Sequence, residues 1–326
     1  MFVVISLIVL AGAGLLVKFR TRLTFPSGRL SRVNGETNVD NSSLAMGSDQ
    51  FIELSFGKVH YIYRPSSKKS SSELNIFVHG YSIPMEMWRN VYLALVADDR
   101  PCLVFDLYGR GWSDAPDTSM IVDLFVGQIA ELLFALNVPY EKYNLFGISM
   151  GGKIVQRFTQ LYPSKIARLT LCCSVGLNDV KPSKILLCLL STPILGGFLF
   201  KLVMKNSDNK SVRAQWSFPD RDEYRQYQNL FKRTCRDHPG FLRSLLKTVL
   251  EFDFILTEDS IASIAQHRIP TLILWGEQDV LTPVQNAYKY HRLYQHSSLR
   301  VIKGANHSLL IEHPKETIEA IQEFLA

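Results

Sequence analysis

From Phe51 onward, short runs rich in β-branched and aromatic residues alternate with stretches whose apolar positions recur at helical spacing. Phe51–Ser55 and Lys58–Tyr63 read as a strand pair. Leu74–Val78, Pro101–Phe105, Tyr143–Phe146, Arg168–Cys173, Thr271–Trp275 and Leu299–Ile302 are mostly apolar, as strands buried on both faces of a sheet are. Helical patterns fall near 85–97, 119–137, 151–162, 283–294 and 314–325. Such alternation predicts an α/β fold, a mostly parallel sheet with helices on both faces. It breaks once, between about Gly176 and Arg268, where an apolar, helix-like insertion intervenes.

Two stretches raise the question of a membrane. Phe2 to Val17 is an uncharged apolar run followed by Lys18, Arg20 and Arg22. As a helix, sixteen residues rise about 24 Å, slightly short of a hydrocarbon core of roughly 30 Å. A cleaved signal peptide carries its cations before the apolar run, and here they follow it, so residues 1–24 read as an uncleaved anchor with a basic flank. The positive-inside rule then places the rest on the cytosolic side, as a single-pass membrane protein. Residues 25–50 are polar and read as a tether. Ile185–Met204 is also nearly uncharged, but Pro193 and Gly196-Gly197 divide it into two short helical pieces. A crossing there would also strand the candidate catalytic groups on opposite sides, so the segment reads as part of a lid spanning about 176–268.

The chain has 326 residues, 47% of them hydrophobic and 20% charged, which excludes wholesale disorder. A net charge of +6 without an aromatic-interleaved basic stripe gives no reason to expect nucleic acid as a partner. The five cysteines, Cys102, Cys172, Cys173, Cys188 and Cys235, include no CxxC pair and sit mostly in apolar runs. They read as buried reduced thiols, with no Cys/His cluster at zinc-ligand spacing, and no metal or organic cofactor is expected.

Chemistry concentrates in Tyr143-Asn-Leu-Phe-Gly-Ile-Ser-Met-Gly-Gly-Lys153. Gly147, Ser149 and Gly151 form G-x-S-x-G between an apolar strand and a helical pattern, the setting of a nucleophile elbow. The same residues nearly spell a phosphate-binding loop with Gly147, Gly152 and Lys153, but Ile154 stands where a magnesium-binding Ser or Thr is required. A serine nucleophile needs a base and an acid. His307, in Gly304-Ala-Asn-His-Ser308, and Asp279, in Trp275-Gly-Glu-Gln-Asp279, each follow a predicted strand, where open α/β sheets place ligands. Glu277 competes with Asp279 as the acid, and His313, just before Pro314, reads as a surface or capping residue. Leu74–Val78 leads into His79-Gly80-Tyr81-Ser82, where a glycine permits a sharp turn. The backbone N–H groups of Tyr81 and Met150 are the candidate oxyanion donors, and His79 reads as structural.

His79-Gly80 with Trp88 downstream, Asp106-Leu-Tyr-Gly-Arg-Gly-Trp-Ser113, Gly147–Gly152, Trp275–Asp279 and Gly304–His307 occur in the order of the α/β-hydrolase superfamily, which residues 51–326 closely resemble. The resemblance implies that fold with a helical lid insertion, and it assigns Asp106 and Arg110 to scaffold. With the anchor and Gly-Ile-Ser-Met-Gly-Gly, it points to membrane-anchored monoacylglycerol lipases. The implied function is a serine hydrolase cleaving carboxylic esters of lipids through an acyl-enzyme. C–C or thioester hydrolysis by the same residues, or a non-catalytic interaction role, are the alternatives. Tyr81 stands where that group often has phenylalanine, which puts a hydroxyl near the pocket.

Overall fold

The computed structural model describes residues 46–67, 73–177, 184–205, 208 and 210–326. The anchor expected over 1–24 and most of the tether over 25–50 lie outside the described residues. Eight strands form one sheet: β1 (Gln50–Leu54), β2 (Gly57–Arg64), β3 (Glu73–Val78), β4 (Cys102–Phe105), β5 (Lys142–Ile148), β6 (Ile166–Cys172), β7 (Thr271–Gly276) and β8 (Ser297–Ile302). Their spatial order is β1-β2-β4-β3-β5-β6-β7-β8. β1 and β2 form an antiparallel hairpin, and β2 also runs antiparallel to β4. From β4 to β8 every pairing is parallel.

Helices cover the sheet because parallel crossovers must return over its faces. α1 (Arg89–Ala97) packs with α12 (Pro314–Leu325), while α2 (Val122–Leu136), α3 (Met150–Leu161), α9 (Glu258–Ala265) and α10 (Gln285–Leu293) form a second contiguous layer. Beneath them Phe77 of β3 stacks on Phe146 of β5 with ring centroids 4.8 Å apart, and Trp88 meets Phe77 at 5.4 Å. Burial of such rings supplies much of the core's stabilisation, on the order of 1.5–3 kcal/mol per large apolar side chain.

The single break in alternation is occupied by helices. Between β6 and β7 lie α4 (Lys184–Leu190), α5 (Leu195–Lys205), α6 (Lys210–Arg213), α7 (Asp222–Asp237), α8 (Phe241–Glu251) and α9. Phe200, Phe231, Phe241, Leu245 and Leu246 build a small core of their own, against which Tyr81 packs. Ile185–Met204 divides at Ser191–Ile194 around Pro193, earlier than Gly196-Gly197. Gly196 lies inside α5, where a Cβ would strike the Leu190 backbone, so this glycine serves the close approach of α4 and α5. Among the described residues no helix is long and apolar enough to cross a membrane.

The cysteine expectation needs a correction. Cys102, Cys172 and Cys173 are buried, but Cys235 is only partly so and Cys188 is exposed. Cys188 sits in an apolar run whose helix, α4, turns it outward, and periodicity decides the facing where composition cannot.

Candidate active site

Parallel pairing brings the carboxyl ends of β3, β5, β7 and β8 to one edge of the sheet, and each leads within a few residues to a candidate functional group. Ser149 follows β5 and caps α3 with φ 54° and ψ −119°. That left-handed conformation costs a side-chain-bearing residue about 1–3 kcal/mol, which the surroundings must impose. Ser149 N–H donates to Cys172 O at 3.0 Å, and Ser149 O accepts from Gly152 N–H at 3.0 Å and Val175 N–H at 3.1 Å. The flanking glycines are required by space: a Cβ on Gly147 would lie 2.5 Å from Gly151 O, and one on Gly151 would lie 2.5 Å from His79 O.

Asp279, past the end of β7, accepts from His307 Nδ1 at 2.8 Å. Its Oδ1 takes the N–H groups of Leu281 and Thr282, each at 2.8 Å, while the Thr282 hydroxyl donates to Oδ2 at 2.8 Å. Burial works against the carboxylate, but the charge and hydrogen bond of His307, with the Thr282 N–H, hold its pKa below the ordinary value. Because Asp279 accepts from Nδ1, the His307 ring keeps its other nitrogen, Nε2, as an acceptor. The exposed Glu277 instead accepts from Gly304 N–H at 2.9 Å, so it braces the histidine loop and leaves the ring to Asp279.

Asn306 binds three segments together. Its Oδ1 accepts from His307 N–H at 2.9 Å and Val280 N–H at 3.2 Å, while its Nδ2 donates to Ala214 O at 2.8 Å. Its own N–H donates to Ser217 Oγ at 2.9 Å. The acid loop, the histidine loop and the insertion are thereby joined through one side chain.

After β3, Gly80 is not at a positive φ, which corrects the expected reason for a glycine there. What it supplies is proximity: a Cβ on Gly80 would stand 3.4 Å from Ser149 Cβ and 3.9 Å from Oγ. His79 is wholly buried, donating from Nδ1 to Gly80 O and accepting at Nε2 from Leu107 N–H, both at 2.9 Å. Burial pushes its pKa down to about 4, so it is a neutral strut. Tyr81's hydroxyl is not offered to the pocket, because it donates to Leu245 O of α8 at 2.8 Å. Met150 is the first residue of α3, so its N–H is one of the free amides of a helix start.

Asp106 and Arg110 frame this loop. Asp106 accepts from Met85 N–H at 3.0 Å, Trp112 N–H at 2.9 Å and His60 Nδ1 at 2.7 Å. Burial opposes a charged His60, but hydrogen bonds and the charges of Asp106 and Asp49 overcome it and push its pKa up to about 10. Lys153, from the near-match to a phosphate loop, is buried and donates to Ile255 O at 2.6 Å and to Asp253 O. Its cation fastens the exit of the insertion to α3.

Sequence reading missed two neighbours of the acid, Thr282 and Cys173. Cys173 follows β6 at φ 42°, and its thiol hydrogen-bonds Asp279. Cys173, Asp279 and His307 offer atoms within 4.8 Å of one another, a cluster that ligand spacing in the sequence does not reveal. Here the thiol and the imidazole both donate to one carboxylate, an arrangement that occupies it with protons. The only available signal was position, since a residue one step past a parallel strand reaches the same edge as the others.

Ser149 and His307 line one cavity of about 180 Å³, walled mainly by apolar side chains such as Val203, Met204, Phe231 and Phe254. The arrangement provides a serine on a strained turn, an imidazole oriented by a carboxylate, backbone N–H groups at a helix start, and an apolar chamber.

Comparison with known proteins finds matches over most of the chain. The profile described as "Alpha/beta hydrolase family" matches residues 76–320. The chain is 25% identical to mouse (Mus musculus) monoacylglycerol lipase ABHD6 over 276 residues, 81% of this chain and 77% of that one. It is 26% identical over 293 residues to the cis-3-alkyl-4-alkyloxetan-2-one decarboxylase of Shewanella oneidensis, covering 84% of this chain and 87% of that one. A thermophilic esterase from Thermogutta terrifontis superposes with a TM-score of 0.68 at 20% identity, over 86% of this chain and 98% of that one, a likeness of fold.

Proposed function

Because this chain belongs to the alpha/beta hydrolase family, we propose that it cleaves carboxylic esters of lipids, of monoacylglycerol-like shape, through an acyl-enzyme on Ser149. The observation that carries the reading is the 2.8 Å hydrogen bond from His307 to Asp279 beside a strained Ser149 in the same apolar cavity. Ser149 Oγ attacks the ester carbonyl as His307 Nε2 takes its proton, and Asp279 stabilises the imidazolium so formed. The N–H groups of Tyr81 and Met150 receive the oxyanion, each contributing about 2.7–4 kcal/mol to the transition state. The tetrahedral intermediate collapses, the C–O bond breaks, and His307 returns the proton to the departing alcohol. Water, deprotonated by the same nitrogen, then displaces the acid from Ser149. No step calls for a metal or cofactor.

The lipid assignment rests on the chamber and on the insertion above it. Val203 and Met204 of α5 line the cavity, while Leu195, Phe198 and Leu202 of the same helix face outward, exposed. Ile185 and Ile194 extend that apolar face. In this reading α4 to α8 form a lid between bilayer and pocket, while α9, at the end of the expected 176–268 insertion, packs on α3 and α10 in the layer over the sheet. Residues 1–24 hold the enzyme to the membrane on its cytosolic side. The monoacylglycerol lipase relative supports the same substrate class.

Fatty-acid release from a long-chain monoacylglycerol in detergent micelles tests the reading. Wild type is expected to release acid and Ser149→Ala none. Release by neither sends the assignment to thioester or C–C substrates. Absence of fluorophosphonate labelling as well leaves the non-catalytic role.

A further inference from the structure

The cavity is lined by several polar side chains that the ester mechanism leaves unused, among them Ser82, Gln215, Gln228 and Ser308. Gln228 of α7 lines it, is 8% exposed, and its Oε1 is buried without a hydrogen-bond partner. A buried amide oxygen deprived of water and left unpaired is unfavourable, so native proteins keep few of them, and those they keep call for an explanation. Among the described residues no donor meets this oxygen, although Trp216, Tyr227 and Phe231 line the same cavity. Tyr227 directs its own hydroxyl away, to Glu86 O at 2.7 Å.

Donor chemistry tells which half of a substrate Gln228 can meet. The departing alcohol must lie beside His307, which protonates it. The histidine loop is tied to the 214–217 segment by the Asn306 bonds to Ala214 O and Ser217 Oγ. Trp216 of that segment meets Tyr227, the neighbour of Gln228, with ring centroids 6.0 Å apart. Gln228 and His307 line the same chamber, and of the two halves of a lipid ester only the alcohol brings hydroxyl donors, since the acyl chain is hydrocarbon.

Chemistry narrows the group it receives. Among the described residues lining the cavity none is Asp, Glu, Lys or Arg, so a phosphate or ammonium head group finds no counter-charge. A neutral hydroxyl needs none and gives the amide oxygen its missing donor.

We propose that Gln228 selects the alcohol half of the substrate by accepting a hydrogen bond from a free hydroxyl of a neutral polyol such as glycerol. This rests on the lipid-ester reading for its placement of the alcohol. The discrimination follows because an analogue without the hydroxyl leaves Oε1 buried and unpaired, whereas the polyol satisfies it.

Binding of non-hydrolysable ethers tests it independently of ester cleavage. 1-O-octylglycerol and octyl propyl ether share one skeleton and differ by two hydroxyls; Trp216 in the cavity wall reports their binding by fluorescence in the full-length protein. Wild type is expected to prefer the glycerol ether by roughly 10- to 100-fold, and Gln228→Met, similar in shape but without the acceptor, to bring that ratio close to one. An equal ratio in the two proteins, parallel weakening of both ligands, or a wild type without preference overturns the proposal. Since neither ether has a scissile bond, a failure here is separable from failure of the Ser149 experiment.

Discussion

Arg110 Nε donates to the carbonyl of Tyr81 at 3.1 Å, so a fully buried guanidinium holds the residue whose N–H is the proposed oxyanion donor. Its other bonds go to Tyr108 O at 3.0 Å and to Thr248 Oγ1 of α8 at 2.7 Å. Every one of these acceptors is neutral, and the cation also lies 5.7 Å from the centre of the Tyr81 ring. Scaffold and oxyanion loop are thus one assembly, with the insertion attached.

Arg110→Lys keeps the charge but loses the planar fork that reaches three acceptors. The turnover number for a soluble ester is expected to fall about 10- to 100-fold with little change in KM, because the loop moves and the chamber does not. A rise in KM at constant turnover would assign Arg110 to substrate binding.

Strain at Ser149 has its own signature. Ser149→Gly removes the nucleophile and relaxes a φ of 54°. It is expected to abolish ester cleavage and yet stabilise the fold by about 1 kcal/mol, the strain relieved less the entropy glycine adds to the unfolded chain. Ser149→Ala keeps the strain. Thermal unfolding of the two variants side by side separates them, and equal midpoints would mean that the elbow stores nothing.

Asp279→Asn preserves shape but favours the wrong imidazole tautomer. A loss on the order of 10⁴ in turnover is expected, together with a lower unfolding midpoint, because the amide meets donors that the carboxylate accepts. Glu277→Gln, whose partner is a backbone N–H of Gly304, is expected to cost only a few-fold. The reverse ranking would hand the acid role to Glu277.

The His60 and Asp106 pair predicts how stability depends on pH. His60 rises from its ordinary 6.5 to about 10 on folding, against burial and because of its two carboxylate neighbours. A raised folded value makes the stabilisation full below about pH 6.5 and removes it as pH climbs toward about 10. Unfolding midpoints measured across that window should decline in wild type and decline less in His60→Gln. Parallel curves would show that the pair does not stay charged.

Deletion of residues 1–24 is expected to release the protein from sedimenting membranes. If the shortened chain still pellets after an alkaline wash, the outward apolar face of α5 is embedded and the terminal run is dispensable.

How much was readable before folding differs from feature to feature. All eight strands and the five helical patterns outside the insertion were recognisable because burial on a parallel sheet demands apolar runs, which periodicity exposes directly. Ser149, Asp279 and His307 were legible as candidates because each follows a strand in a fixed order, and strand ends are local features. Inside the insertion the pattern announced helices but not their partners. Gly80 was credited with a turn when its use is nearness to Ser149, and the Tyr81 hydroxyl was credited to the pocket when Leu245 O takes it.

By itself, then, the sequence determined what short-range physics controls: strand and helix placement, the glycine-flanked serine turn, and the types of residue at each strand end. Only the tertiary structure decided which groups meet across distant segments. It put Cys173 and Thr282 on Asp279, turned Glu277 to the backbone, fastened the histidine loop to the insertion through Asn306, and left the Oε1 of Gln228 without a partner in the cavity wall. The reason is that hydrogen-bond partners lying many residues apart are chosen by packing, and packing is a property of the assembled sheet and helices, to which local pattern is blind.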